Sequence, residues 1–169
     1  MIKYDIPDEL RHAAQKVRLL LLDCDGVLTD GRLYFGESGE ALKAFDVRDG
    51  LGIVRWHEAG FASGIISGRD SSIVERRASE LRMRFVRQSV NDKMAAAAEI
   101  FAEYGISAEE AIYVGDDLPD VDLIRAVGRG VAVADAAAEA RDAALYITRS
   151  KGGRGAVREL IDLILSAKS

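Results

Sequence analysis

The stretch LLLLDCDGVLTDG, residues 19–31, drives an apolar run straight into two aspartates. A chain that buries Leu19–Leu22 carries Asp23 and Asp25 to the rim of its core. A carboxylate taken out of water is costly unless cations or hydrogen-bond donors meet it. The fold therefore has to deliver positive charge to this point. The run is short, apolar and ends at a turn, so residues 17–23 read as a buried parallel strand.

The same form recurs. FASGIISG (61–68) and AIYVGDD (111–117) are apolar runs that end in Gly, Ser or Asp, and shorter runs follow at 129–135 and 144–148. Helical patterns fall between them, at 50–59, 71–81, 92–104, 119–126, 137–143 and 154–167. Gly60 is placed to end the first of these. Residues 107–111 read as a short turn before their strand. Strand–helix alternation predicts an α/β fold, a parallel sheet with helices on both faces. Residues 32–47, RLYFGESGEALKAFDV, break the alternation and read as one projecting β-hairpin around a Gly-containing turn. There is no repeat, linker or low-complexity stretch, so residues 1–169 are expected to form a single domain.

Composition narrows the function. A net charge of −5 and a pI near 5.1 argue against a nucleic-acid partner, which calls for a basic footprint. No apolar run approaches the roughly 20 residues of a membrane span. The N-terminal segment shows no signal-peptide pattern. Cys24 is the single cysteine, which excludes an intramolecular disulfide, and a cytoplasmic location is the simplest expectation. His12 and His57 are the only histidines, too few for a multi-histidine metal site.

In open α/β sheets, ligands bind beyond the carboxyl ends of the strands. The first strand ends in Asp23 and Asp25. The second ends in Ser67, Gly68 and Arg69, and the third in Asp116, Asp117 and, a turn later, Asp120. Lys93 opens the helix of NDKMAAAAEIF. Several carboxylates in one place need a cation, and a hard divalent ion such as Mg²⁺ suits oxygen ligands. Ser67, Lys93 and the backbone N–H groups of the DGVL turn would supply donors to phosphate oxygens. Together these residues point to phosphoryl transfer. Singly, each has an ordinary role: a cap, a turn, a solvated lysine. Cys24 reads as a small buried hydrophobe and His57 as a helix-face residue. The ordered set carries the functional reading.

That set, DCDGVLTDG, IISGR, DK and GDDLPD, resembles the haloacid dehalogenase superfamily of phosphohydrolases over residues 17–135. The resemblance implies a Rossmann-like sheet, Mg²⁺ and an aspartyl-phosphate intermediate. By the same likeness Asp23 is the nucleophile and a metal ligand. Asp25 is the general acid and then the base, with its backbone carbonyl on the metal. Ser67 and Lys93 hold the phosphoryl group, Asp116 ligates the metal and Asp120 supports its water shell, with Asp117 farther out. Members that preserve the intermediate usually carry Thr in place of Asp25, so Asp25 favours a hydrolase.

No cap domain fits, since only 42 positions separate Asp25 from Ser67 and 26 separate Ser67 from Lys93. The segments DGVLTDGRLYFGESGEALKAFDVRDGLGI, IISGRDSSIVERRASEL, VNDK, YVGDDLPDVDLI and GGRGAVRELIDLIL are similar to the capless 3-deoxy-D-manno-octulosonate 8-phosphate phosphatases. This implies a sugar-phosphate substrate, a role in lipopolysaccharide biosynthesis, and a homotetramer built on the hairpin whose neighbouring subunits close each site. It also implies that Arg69, Arg77 and Gly68 meet the substrate, that Asp49 and Gly50 start a helix near the site, and that the KGGRGAV loop (151–157) reaches a neighbouring site. Two features depart from the pattern: Cys24 replaces an aliphatic residue, and the His-Pro after the family's ADA is missing. A phosphatase for nine-carbon sialic-acid-type 9-phosphates is the nearest alternative. Those relatives tend to have an acid where this chain has Arg69. A receiver-like phospho-acceptor domain is the alternative from another class, but its acceptor Asp lies on a later strand.

Overall fold

The computed structural model describes residues 8–127 and 129–168. Its elements run α1 (Asp8–Lys16), β1 (Leu19–Leu22), β2 (Tyr34–Gly36), β3 (Gly39–Leu42), α2 (Val47–Glu58), β4 (Ala62–Ile66), α3 (Ser72–Glu80) and β5 (Phe85–Arg87). They continue with α4 (Lys93–Tyr104), β6 (Ala111–Gly115), α5 (Val121–Ala126), β7 (Gly130–Ala132), α6 (Ala138–Ala143), β8 (Tyr146–Ile147) and α7 (Ala156–Lys168).

The four leucines of β1 have no exposed surface, so their backbone groups must be paired inside the sheet. β1 pairs in parallel with β4 on one side and β6 on the other. The sheet continues outward to the order β5-β4-β1-β6-β7-β8, all parallel. Helix α7 packs on both α1 and α2, and α5 packs on α4 and α6, so helices cover the sheet in two layers. Burying one such leucine contributes about 2 kcal/mol, and the run makes β1 the anchor of everything at its carboxyl end. No helix among the described residues is long and apolar enough to cross a membrane.

Local signals set the element ends. The Asp46 side chain accepts from Arg48 N at 2.8 Å and starts α2 at Val47, earlier than the expected residue 50. Gly60, at φ +89°, lets the chain turn away after that helix. Asp92 caps α4 by accepting from Ala95 N at 3.0 Å, which places Lys93 at the first helical position. The pattern over 119–126 divides into a single 3₁₀ turn, Leu118–Asp120, and α5. β5 has no counterpart in the sequence reading, because two apolar residues between Arg84 and Arg87 carry no periodicity. The hairpin is present as β2 and β3, antiparallel and outside the main sheet.

Candidate active site

The register decides which side chains meet. Leu22 lies level with Ile65 of β4 and Val114 of β6. The residues that follow each strand therefore emerge together. Asp23 N donates to Val114 O at 2.9 Å, and Ser67 N to Arg87 O at 2.9 Å, so both turns are tied to the strands beside them. The result is a cleft of about 430 Å³ that brings together Asp23, Asp25, Ser67, Gly68, Arg69, Lys93, Asp116, Asp117 and Asp120.

Lys93 is the centre of the buried half. Its Nζ lies 3.0 Å from Asp23 Oδ1 and 2.6 Å from Asp120 Oδ1, and donates to the Tyr113 hydroxyl at 3.3 Å. Burial works against its charge, but Asp23 and Asp120 hold its pKa above the ordinary lysine value. Tyr113, fully buried on β6, donates its hydroxyl to Asp120 Oδ1 at 2.5 Å. Asp120 Oδ2 accepts from Asp116 N at 2.9 Å and Asp117 N at 3.2 Å. Both oxygens of Asp120 are thus engaged in holding the loop and the lysine. Asp117 caps the 3₁₀ turn, accepting from Leu118 N at 2.8 Å.

The remaining acids are short of positive charge. One oxygen from each of Asp23, Asp116 and Asp120 lies within 4.8 Å of the others. Burial, opposed by Lys93, pushes the Asp23 pKa up to about 6. Burial, then the charges of Asp23 and Asp120, push Asp116 up to about 8. Asp116 Oδ1 is buried with no hydrogen-bond partner. An unpartnered buried carboxylate oxygen beside two other acids fits a hard divalent cation such as Mg²⁺.

The turn after β1 leaves no room for side chains. Gly26 sits at φ +100°, and a Cβ there would lie 2.0 Å from Asp116 Oδ2. The Val27 and Leu28 N–H groups, expected to face phosphate oxygens, are instead donated to the Cys24 carbonyl. Cys24 is fully buried, and burial pushes its thiol pKa up, which suits packing and not nucleophilic chemistry. The Gly-rich loop lies on this same turn. A Cβ on Gly152 would sit 1.6 Å from Gly26 O, and Gly153 N donates to Val27 O at 2.8 Å. Within this chain the loop therefore packs on the turn that follows Asp25. Asp49 lies inside α2 and accepts from Gly155 N and Arg158 N, away from the cleft.

Asp25 is met by Lys43, which the sequence did not mark, and by Arg69, which it did. Lys43 Nζ, just past β3, donates to Asp25 Oδ1 and lies 3.0 Å from Glu40 Oε1. Arg69 Nε lies 3.6 Å from Asp25 Oδ2. Glu40 accepts from the Ser71 hydroxyl. Nothing in the spacing marks Lys43, since hairpin lysines are usually solvated. Arg77 is not in the cleft. It pairs with Glu80 at 2.9 Å, sits over the Phe45 ring, and lines a neighbouring groove with Lys43. His57 bonds Ser63 Oγ at 2.8 Å in a structural role.

Comparison with known proteins adds the family. The profile of the haloacid dehalogenase-like hydrolases matches residues 54–161. The 3-deoxy-D-manno-octulosonate 8-phosphate phosphatase KdsC of Yersinia pestis is 44% identical over 163 residues, which cover 96% of this chain and 87% of that protein. The crystal structure of the Moraxella catarrhalis 3-deoxy-D-manno-octulosonate 8-phosphate phosphatase, in complex with magnesium ion, phosphate ion and KDO, superposes with a TM-score of 0.93 at 38% identity. It covers 95% of this chain and 92% of that one. The cobalt-bound Haemophilus influenzae phosphatase gives a TM-score of 0.90 at 38% identity, covering 92% and 91%. The chain belongs to the haloacid dehalogenase-like hydrolases and, among them, to the 3-deoxy-D-manno-octulosonate 8-phosphate phosphatase family.

Proposed function

We propose that this chain is a Mg²⁺-dependent phosphatase that hydrolyses 3-deoxy-D-manno-octulosonate 8-phosphate through a phosphorylated Asp23. The observation that carries the reading is the Lys93 ammonium on Asp23 Oδ1, beside the unpartnered oxygen of Asp116. Substrate identity is supported by the relatives at about 44% identity. Asp23, Asp116 and the Asp25 main-chain carbonyl would hold the metal, with Asp120 behind them. When bound, Mg²⁺ neutralises phosphate charge and lowers the repulsion that a carboxylate nucleophile meets.

The chain's own residues divide the remaining work. An Asp23 oxygen attacks phosphorus as the bond to the sugar oxygen breaks. The Asp25 carboxyl gives that oxygen its proton. Asp25, now a carboxylate, takes a proton from water, the hydroxide attacks phosphorus, and Asp23 leaves as a carboxylate. Lys93 and the Ser67 hydroxyl orient the phosphoryl oxygens throughout. Arg69, at the cleft mouth, suits the substrate's carboxylate because its fork donates two parallel hydrogen bonds. Arg77 would join it from the adjacent groove.

A cleft this open gains from a cover that excludes water. The hairpin exposes Leu33, Tyr34, Phe35 and Leu42, and Phe35 is 64% exposed. Such an apolar stripe supports assembly into a homotetramer whose neighbours close each site. A cytoplasmic enzyme and a small sugar-phosphate substrate complete the proposal.

The test is phosphate release from the eight-carbon 8-phosphate and from a nine-carbon 9-phosphate, with Mg²⁺ and with EDTA, beside Asp23→Asn. A higher kcat/KM for the eight-carbon ester, lost with EDTA and in the variant, supports the proposal. A higher value for the nine-carbon ester would transfer the enzyme to that substrate.

A further inference from the structure

We propose that Lys43 is a positioning residue for Asp25, and that it makes the geometry of proton transfer depend on how the hairpin is seated. The proposal rests on the reading of Asp25 as the proton-transfer group.

The Lys43 side chain is 1% exposed, although it follows the exposed Ala41 and Leu42 at the end of β3. A lysine gives up its solvation and its rotamer freedom only where it gains close partners. Here they are Asp25 and Glu40. The Lys43 Nζ takes Asp25 Oδ1 and lies 3.0 Å from Glu40 Oε1. Arg69 closes the ring from the other side, with Nε 3.6 Å from Asp25 Oδ2 and Nη2 3.9 Å from Glu40 Oε1. The two oxygens of Asp25 are therefore held by different cations on different chain segments, which fixes the plane of its carboxyl group.

A group that serves first the leaving oxygen and then a water needs one orientation, and small misplacement is expensive in rate. Lys93 cannot set it, because its contacts go to Asp23, Asp120 and Tyr113. Lys43 can. It also ties an otherwise separate element to the cleft, since β2 and β3 pair as strands only with each other. The Glu40–Ser71 hydrogen bond is the second tie, reaching the turn before α3.

The experiment compares wild type, Lys43→Met and Lys43→Arg with the sugar 8-phosphate and with p-nitrophenyl phosphate, whose leaving group needs no proton. For Lys43→Met, kcat on the sugar ester should fall about 100-fold, the scale of one proton-transfer contribution, while KM changes by less than about threefold. The pre-steady-state burst of p-nitrophenol should stay within about threefold of wild type, because that step needs Asp23 but no proton from Asp25. Lys43→Arg should recover at least about tenfold of the lost kcat, as a cation is restored. The Mg²⁺-dependent rise in Tm should match wild type in both variants.

A kcat for Lys43→Met near wild type would overturn the proposal. So would a burst that falls as far as kcat, since Lys43 would then act on Asp23 or on the fold. If Lys43→Met does not fold, Lys43→Arg carries the same comparison: an altered kcat with an unaltered burst supports positioning, and equal loss of both overturns it. A wild-type chain that releases phosphate from neither ester would instead overturn the phosphatase reading beneath it.

Discussion

Two lysines meet the two aspartates that follow β1, and they come from opposite kinds of structure. Lys93 opens α4, a capped helix packed against the sheet, and is 8% exposed. Its three partners lie on β6 (Tyr113), directly after β1 (Asp23) and in the 3₁₀ turn that follows β6 (Asp120). Lys43 hangs from a two-stranded hairpin outside the sheet, with Phe35 and Leu42 exposed on the same element. The cation on Asp23 is therefore as stable as the core, whereas the cation on Asp25 is only as well placed as the hairpin. A two-stranded hairpin alone is marginal in water. Covering its apolar stripe would steady the residue proposed to move protons and leave the proposed nucleophile untouched.

Lys93→Met is expected to have the largest effect. It leaves Asp23 and Asp120 buried without their shared cation, which costs about 3–5 kcal/mol of stability for a pair broken on one side. Activity should fall to background in the same variant. Denaturant unfolding and phosphate release measure both. A variant as stable as wild type would show that Lys93 is no more structural than Lys43, and the contrast between them would fail.

Metal and pH sharpen the same contrast at an intermediate scale. Asp23 and Asp116 have folded-state pKa values of about 6 and about 8, above the ordinary 3.8. Between those limits the metal-free folded chain binds more protons than the unfolded chain, so its stability falls as pH rises from about 4 to about 8. A bound divalent cation removes that penalty and stabilises by linkage. The Tm gained on replacing EDTA by Mg²⁺ should therefore be greater at about pH 8 than at about pH 5.5. Asp49 is also raised, to about 6, but it faces backbone N–H groups at the start of α7 and should drop out of the difference. An equal gain at both pH values would contradict the assignment of Asp116.

Tyr113→Phe is the smallest test. It removes one hydroxyl from Asp120 while Lys93 and two backbone N–H groups stay in place. A loss of about 1 kcal/mol in stability is expected, with a few-fold drop in kcat.

The positions along the chain that face the cleft were legible because they follow apolar strands. Asp23, Ser67 and Asp116 each sit just past a buried run, and parallel pairing in register brings such residues together. Lys93 was legible from its place at a helix start. Tyr113 was not, since a tyrosine within AIYVG reads as a buried strand residue and its hydroxyl partner lies seven positions on. Lys43 and Glu40 were hidden because their burial comes from tertiary docking of the hairpin, which has no signature in local pattern. β5 was too short and too charged to show periodicity. Two donors of the DGVL turn, the Val27 and Leu28 N–H groups, were misjudged because the tight turn folds them back onto Cys24 O. The glycines of KGGRGAV were read as a loop, which they form, but their close approach to the turn at Gly26 was not visible in the sequence. Arg77 lies one groove away from the aspartates, held by Glu80 and Phe45.

The most direct measurement is chemical trapping of the phosphorylated residue. The enzyme would be quenched in acid during turnover with Mg²⁺ and substrate, reduced with borohydride, digested and examined by peptide mass spectrometry. Reduction of an acyl phosphate converts the aspartate that carried it to homoserine. Homoserine at position 23 alone is the predicted result. Homoserine at position 25 or 116, or none at any aspartate while phosphate is released, would contradict Asp23 as the nucleophile.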